Sequence, residues 1–162
     1  MTENEISRLV LDEAVYLHKS IGPGMLESVY VHCLAHRLKK RGLNIRTEVP
    51  VPLIFEEVKL ECGYRADIII ETKVVIEVKS VDAIAPIHLA QTLTYLRLLN
   101  LKLGMVLNFN SVLMKQGIKR VVNNLRMEES IAKDAEDRKA RDAICVPCAK
   151  LGALCDTINR EV

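Results

Sequence analysis

The stretch D-I-I-I-E-T-K-V-V-I-E-V-K, from Asp67 to Lys79, constrains this chain more than any other. Two arms rich in Ile and Val flank a polar turn, the pattern of a β-hairpin. Glu77 and Lys79 stand two residues apart on the second arm and so share one face of a strand. Asp67 shares a face with Ile69 on the first arm. If the turn is the three residues Glu71, Thr72 and Lys73, Asp67 stands opposite Glu77. A two-residue turn puts them on opposite faces, because a slip of one residue inverts every side chain.

Two facing carboxylates repel, and burying them is costly. A divalent cation between them removes both costs, and hard oxygen ligands suit Mg²⁺ or Mn²⁺. A lysine beside such an ion can orient a water nucleophile or stabilise developing negative charge, as phosphodiester hydrolysis requires. The same residues also fit an exposed hairpin with a cross-strand Lys–carboxylate pair. An Asp, nine residues, Glu, one residue and Lys recur by chance, so the rest of the chain has to decide.

The surroundings predict a mixed sheet packed by helices. Thr2 and Glu5 form a capping box, and Ile6, Leu9, Val10, Ala14 and Leu17 follow at helical spacing to about Ser20. A second helix is predicted from Met25, with Leu26, Tyr30, Cys33, Leu34 and Leu38 as its apolar stripe and Gly42 as its stop. Thr47, Val49, Val51, Leu53 and Phe55 alternate as one strand, which Pro50 and Pro52 assign to a sheet edge. Val58–Tyr64 is the next strand, followed by the hairpin. A helix with Pro at its first turn spans Pro86 to Leu99. L-G-M-V-L-N-F, 103–109, reads as a buried strand, and I-K-R-V-V, 118–122, as a strand or the start of a final helix.

A chain of 162 residues with 49% hydrophobic and 27% charged residues can bury a core in one domain, placed at 1–125. The extension 126–162 is highly charged and lacks a strong apolar stripe, which predicts a solvated helix or a disordered tail. A net charge of +2 does not by itself argue for nucleic acid, and 4% aromatics offer little base-stacking surface. No apolar run reaches the ~18 residues of a membrane helix. The acidic N-terminus has no apolar signal region, so a cytoplasmic location is expected. Five cysteines are then expected to be reduced. Cys145, Cys148 and Cys155, with Cys33 as a distant fourth, have the ligand chemistry of a zinc or iron–sulfur site. A variable extension is the simpler reading of that tail.

Two constellations support the hairpin as a site. In G-M-L-E-S-V-Y, 24–30, Glu27 stands at the border of the second helix's apolar stripe. It is either reaching for water or pointed at something. In Q-T-L-T-Y, 91–95, Gln91 and Tyr95 share a helix face one turn apart, with His88 one turn earlier. Basic residues fall in two groups, His36, Arg37, Lys39, Lys40, Arg41 and Arg46, and Lys115, Lys119 and Arg120. Either group can contact phosphates, and either can be an ordinary solvated end.

Together these pieces resemble the GxxExxY proteins of the PD-(D/E)xK nuclease superfamily. The resemblance runs through Gly24, Glu27 and Tyr30, G-Y-R-A-D (63–67), V-I-E-V-K (75–79), Q-T-L-T-Y, L-G-M-V-L-N-F and G-I-K-R (117–120). It implies an α/β, restriction-endonuclease-like core: a mixed sheet flanked by helices. Asp67 and Glu77 would be metal ligands, joined by Glu27 and the backbone carbonyl of Val78, with Lys79 as the catalytic lysine. Gln91 and Tyr95 look like the Q-x-x-x-Y motif of RecB-type nucleases, and with Tyr30 would position substrate. Lys119 and Arg120 would offer phosphate contacts. The implied activity is a Mg²⁺- or Mn²⁺-dependent nuclease acting on nucleic acid, with DNA as the expected substrate, no membrane partner, and room for a homodimer. The alternative is a non-catalytic module that binds nucleic acid or protein on the same fold.

Overall fold

The computed structural model describes residues 1–60 and 64–124. The expected domain boundary at 125, the extension 126–162 with its cysteines, and Cys62 lie outside the described residues. The elements are α1 (Glu3–Ile21), α2 (Glu27–Lys40), β1 (Ile45–Pro50), β2 (Leu53–Phe55), β3 (Val58–Leu60), β4 (Arg65–Ile70), β5 (Val74–Lys79), α3 (Pro86–Leu98), β6 (Leu103–Asn108), a 3-10 turn (Met114–Gly117) and β7 (Ile118–Val122).

The local signals explain most boundaries. The amide of Glu5 donates to Thr2 Oγ1 at 3.3 Å and the amide of Thr2 donates to Glu5 Oε2 at 2.8 Å, a complete capping box. Gly42, at φ 81°, takes the left-handed conformation that ends α2. α2 starts at Glu27, two residues later than predicted, and Leu26 is its N-cap, exposed to 75% rather than part of the apolar stripe. Pro86 opens α3 as expected.

Five strands form one sheet in the order β1-β4-β5-β6-β7, with β5 and β6 parallel and the other neighbours antiparallel. β1 is an edge strand, as expected from Pro50 at its end. The predicted single strand from Thr47 to Phe55 is in fact broken. β1 ends at Pro50, and β2 pairs with β3 in a separate two-stranded ribbon. Pro52 has no N–H to carry a ladder onward, and Glu48 lies at φ 51° within the alternating stretch. Residues 118–122 are a strand, since β7 pairs with β6 from Leu103↔Val122 to Leu107↔Ile118.

Each face of the sheet carries a core. Ile6, Val10, Leu17, Leu34 and Leu38 of α1 and α2 pack on Ile68, Ile70, Ile76 and Val78. Tyr95 and Leu96 of α3 pack on Ile69, Val75 and Val106. Covering both faces explains why the β6 segment reads as a continuous apolar run and why β5 is apolar apart from Glu77 and Lys79. Each fully buried aliphatic side chain contributes about 1.5–3 kcal/mol. α3 sits so close to β6 that a Cβ on Gly104 would lie 2.7 Å from Thr92 Cγ2.

The first basic group turns out to be partly structural. Glu13, on the inner face of α1, is buried and accepts hydrogen bonds of 2.6 Å from Nε of both Arg37 and Arg41. Burial pushes its carboxyl up, but the hydrogen bonds and charges of the two guanidinium groups outweigh this and hold it below the usual range. Arg37 also lies over the Tyr16 ring at 4.0 Å. These two arginines are engaged with α1, and their group sits at the far end of α2 from Glu27, about 15–20 Å along the axis.

Candidate active site

The site is built by strand register. The β4–β5 pairs Ile68↔Ile76, Ile69↔Val75 and Ile70↔Val74 leave the three-residue turn Glu71–Lys73. Glu71 and Thr72 adopt φ of 51° and 52°, and the Lys73 amide closes the turn on the Ile70 carbonyl at 2.9 Å. One further step of the same register puts Asp67 opposite Glu77. β6 and β7 continue the row through Glu77↔Val106 and Val106↔Lys119. On the face covered by α3, Asp67, Glu77, Val106 and Lys119 therefore form one line across four strands, with Lys79 beside Asn108 in the next row.

The carboxylates are held under electrostatic load. Glu77 is 2% exposed. Its Oε1 accepts from Lys79 Nζ at 2.8 Å, while Oε2 is buried without a hydrogen-bond partner. Burial, and then the charge of Asp67, push the Glu77 carboxyl up to about 7 against the opposing pull of Lys79. Asp67 is also raised, chiefly by burial, although its Oδ2 accepts from the Val78 amide at 2.8 Å. Burial alone would lower Lys79, but its bond to Glu77 and the charges of Glu77, Asp67 and Glu27 keep its ammonium above the usual value. Glu27 comes from the first turn of α2 to the end of β5, where its Oε1 accepts from the Ser80 amide at 2.9 Å.

The sequence residues thus converge unevenly. Asp67, Glu77, Lys79 and Glu27 come together. Val78 enters through its backbone, its side chain being buried on the opposite face. Gln91 Nε2 donates to the Tyr95 hydroxyl at 2.7 Å, and the charges of Glu77 and Lys79 act on Tyr95. Burial, chiefly, pushes that hydroxyl's pKa up. His88 is a cap: its Nδ1 accepts from the Ala85 amide at 3.1 Å.

Tyr30 does not reach the site as a positioning group. It has no exposed surface, stacks on Phe109 at 4.4 Å, donates its hydroxyl proton to the Gly22 carbonyl and accepts from the Met25 amide. Its place is to fasten the α1–α2 turn and so aim Glu27. Arg120 is also redirected. It neighbours Lys119 in sequence and thus points to the opposite face, where it donates to Asn4 at 2.7 Å. Lys115 lines a groove with Leu11, Asp12 and Val15 of α1, away from this row.

Three polar residues went unrecognised in the sequence. Asn108 is 1% exposed and clamps Val81, donating to its carbonyl at 2.7 Å and accepting from its amide at 3.1 Å. An amide closing the otherwise apolar run 103–107 was the available signal. Glu13 was legible too, since it falls one turn from Val10 and Leu17 on the buried stripe. Tyr64, 41% exposed, sets its ring edge-on to Tyr95 at 6.1 Å, a contact no local pattern announces.

Among the described residues, no ready cage of three His, Cys, Asp or Glu side chains is assembled. Asp67 is turned to Val78, Glu77 to Lys79 and Glu27 to Ser80. The donor set nonetheless fits a hard divalent cation: every available donor is oxygen, and Glu77 Oε2 is buried with its bonding capacity unused. No helix among the described residues is long and apolar enough to cross a membrane.

The family model of the PD-(D/E)XK nuclease superfamily matches residues 4–121, and the chain belongs to that superfamily. This makes it a domain of nuclease type with nucleic acid as its class of substrate, in a superfamily whose nucleases typically use divalent metals. No curated protein and no solved structure matches the chain.

Proposed function

We propose that this domain is a Mg²⁺- or Mn²⁺-dependent nuclease of the GxxExxY type that hydrolyses phosphodiester bonds in DNA. One observation carries the reading: a carboxylate oxygen of Glu77 is buried without a hydrogen-bond partner, on a side chain that pairs with Lys79 and feels the charge of Asp67. An uncompensated buried polar atom costs about 1–3 kcal/mol, and a cation removes that cost. Asp67, Glu77, Glu27 and the Val78 carbonyl would hold the ion. Once bound, a divalent ion supplies charge neutralisation at the reacting phosphate and acidifies water.

The chain's own residues do the rest. Lys79 stays protonated, because three carboxylates surround it. One of its N–H groups fixes Glu77, and the others donate to a phosphate oxygen as negative charge grows there. Lys79 is therefore an electrostatic donor rather than a base. The Gln91–Tyr95 pair positions the strand from α3, and Asp67 stays oriented by the Val78 amide. A cytoplasmic setting fits this activity.

The test is cleavage of labelled DNA and RNA by the purified protein in Mn²⁺, Mg²⁺ or EDTA, beside Lys79→Ala. Metal-dependent cutting of DNA that the variant loses supports the proposal. Undiminished cutting by Lys79→Ala sinks the mechanism.

A further inference from the structure

A cleft of about 430 Å³ lies beside the catalytic row, on its β7 side. One wall is the segment Asp82–Ile84, which follows β5. The other is the loop after β6, with Asn110, Val112 and Gln116, and Lys119 completes the lining. Lys119 stands in the same row and on the same face as Glu77, two strands away, hence about 10 Å.

The cleft is built rather than incidental. Buried Asn108 ties the two walls together. It clamps Val81 on one side, and its Oδ1 accepts from the Asn110 amide at 3.2 Å on the other. From α1, His18 Nε2 bonds the Ser111 carbonyl at 2.8 Å and anchors the second loop. Gly117 closes that loop so tightly that a Cβ there would lie 2.3 Å from the Asn108 carbonyl oxygen. Preformed walls of this kind lower the ordering cost of binding.

The lining has the chemistry of a nucleotide pocket. Lys119 offers a cation for a phosphate, and Asn110 and Gln116 offer amides that pair with base edges. Asp82 offers an acceptor for a sugar hydroxyl or an exocyclic amine. Ile84 and Val112 supply apolar surface. The volume lies within the range of a small-molecule site. A base held in a duplex cannot enter such a cleft, whereas an unpaired base can be splayed into it.

We infer that the Asp82–Lys119 cleft binds one unpaired nucleotide of the substrate strand, adjacent to the reacting phosphate, and so selects single-stranded nucleic acid. The inference rests on the nuclease reading for its direction, but its test does not use cleavage.

Binding of a fluorescein-labelled 12-nucleotide DNA strand, and of the same sequence as a duplex, is followed by anisotropy in EDTA. The wild-type chain binds the single strand at least tenfold more tightly than the duplex. Lys119→Ala weakens single-strand binding about tenfold, lowers the logarithmic salt slope by about 0.7 and leaves duplex binding unchanged. Lys119→Arg retains binding. Asn110→Ala with Gln116→Ala weakens single-strand binding with no change in salt slope. Thermal unfolding confirms that each variant is folded. Equal affinity for strand and duplex, no binding of either, or wild-type binding by Lys119→Ala overturns the inference. Failure to cleave in Mg²⁺ or Mn²⁺, with this binding pattern intact, would count against the nuclease reading alone.

Discussion

Glu77 and Lys79, two residues apart on β5, are joined by a 2.8 Å hydrogen bond that uses only one carboxylate oxygen. The other oxygen is buried without a partner. The bond keeps the lysine charged, yet leaves one carboxylate oxygen free to take a cation, on a side chain that lies opposite Asp67 in the strand register. An ordinary strand ion pair on a wet face has no such buried, unused oxygen.

Metal addition should therefore stabilise the fold. Mn²⁺ or Mg²⁺ at 100 times its Kd raises stability by about 2.7 kcal/mol. Scanning calorimetry should show a rise in Tm for the wild-type chain and little or none for Asp67→Asn or Glu77→Gln. An equal rise in all three would place the ion elsewhere.

Stability in EDTA should depend on pH through Glu77. Its carboxyl is raised from 4.5 to about 7 in the folded state. Between those values the unfolded chain has lost the proton and the folded chain retains it, so stability falls as pH rises through this window. The full effect is of order 3 kcal/mol. Glu77→Gln removes it. The variant should gain on the wild type from pH 5 to pH 8 in urea unfolding, and a constant difference would remove Glu77 as the cause.

The buried Glu13 should respond asymmetrically. Replacing Arg37 and Arg41 together by Ala leaves a buried carboxylate unpaired and costs about 3 kcal/mol. Glu13→Gln frees two arginines that are 31% and 51% exposed and can turn to water, so it costs less. Its carboxyl is held below 4.5, so the network persists at neutral pH and is lost on acidification below that value. Denaturant midpoints of the two variants order the costs, and cleavage by the folded protein should stay within a few-fold of wild type.

Tyr30→Phe should act on activity through Glu27. The variant keeps the stack on Phe109 but loses both hydroxyl bonds to the α1–α2 turn. A stability loss of about 1–2 kcal/mol is expected, together with reduced kcat at unchanged substrate KM. A raised KM with intact kcat would restore Tyr30 to a substrate-contacting part.

Much of this was legible from residue order. The apolar run 103–107 announced a buried strand, Thr2 and Glu5 announced the first cap, and the hairpin arms gave the faces of Asp67 and Glu77 once the turn length was known. The break at Pro52 was missed because side-chain alternation continues across it while the backbone ladder does not. Tyr30 and Arg120 lie away from the row for a reason no motif states. A motif names residues that matter without saying whether they touch substrate or hold the scaffold, and only the packing around the Tyr30 hydroxyl and the Arg120 guanidinium separates the two. Glu13 with its arginines, and Asn108 with Val81, join positions 24 to 28 and 27 residues apart, beyond any local pattern.

The turn Glu71–Lys73 lies at the end of the hairpin remote from the carboxylates, in a place where loop tips usually tolerate changes of length. What the candidate site depends on is the set of pairs behind it, Ile68↔Ile76, Ile69↔Val75 and Ile70↔Val74, which carries Asp67 to Glu77. A slip of β4 by one residue against β5 would swing Asp67 to the opposite face and bring Ala66 or Ile68 into the row. A slip of two would restore the side but displace the carboxylate by a full step. The candidate site is therefore a matter of phase as well as of side chains: the tip can change its letters and its length so long as the two arms stay in step.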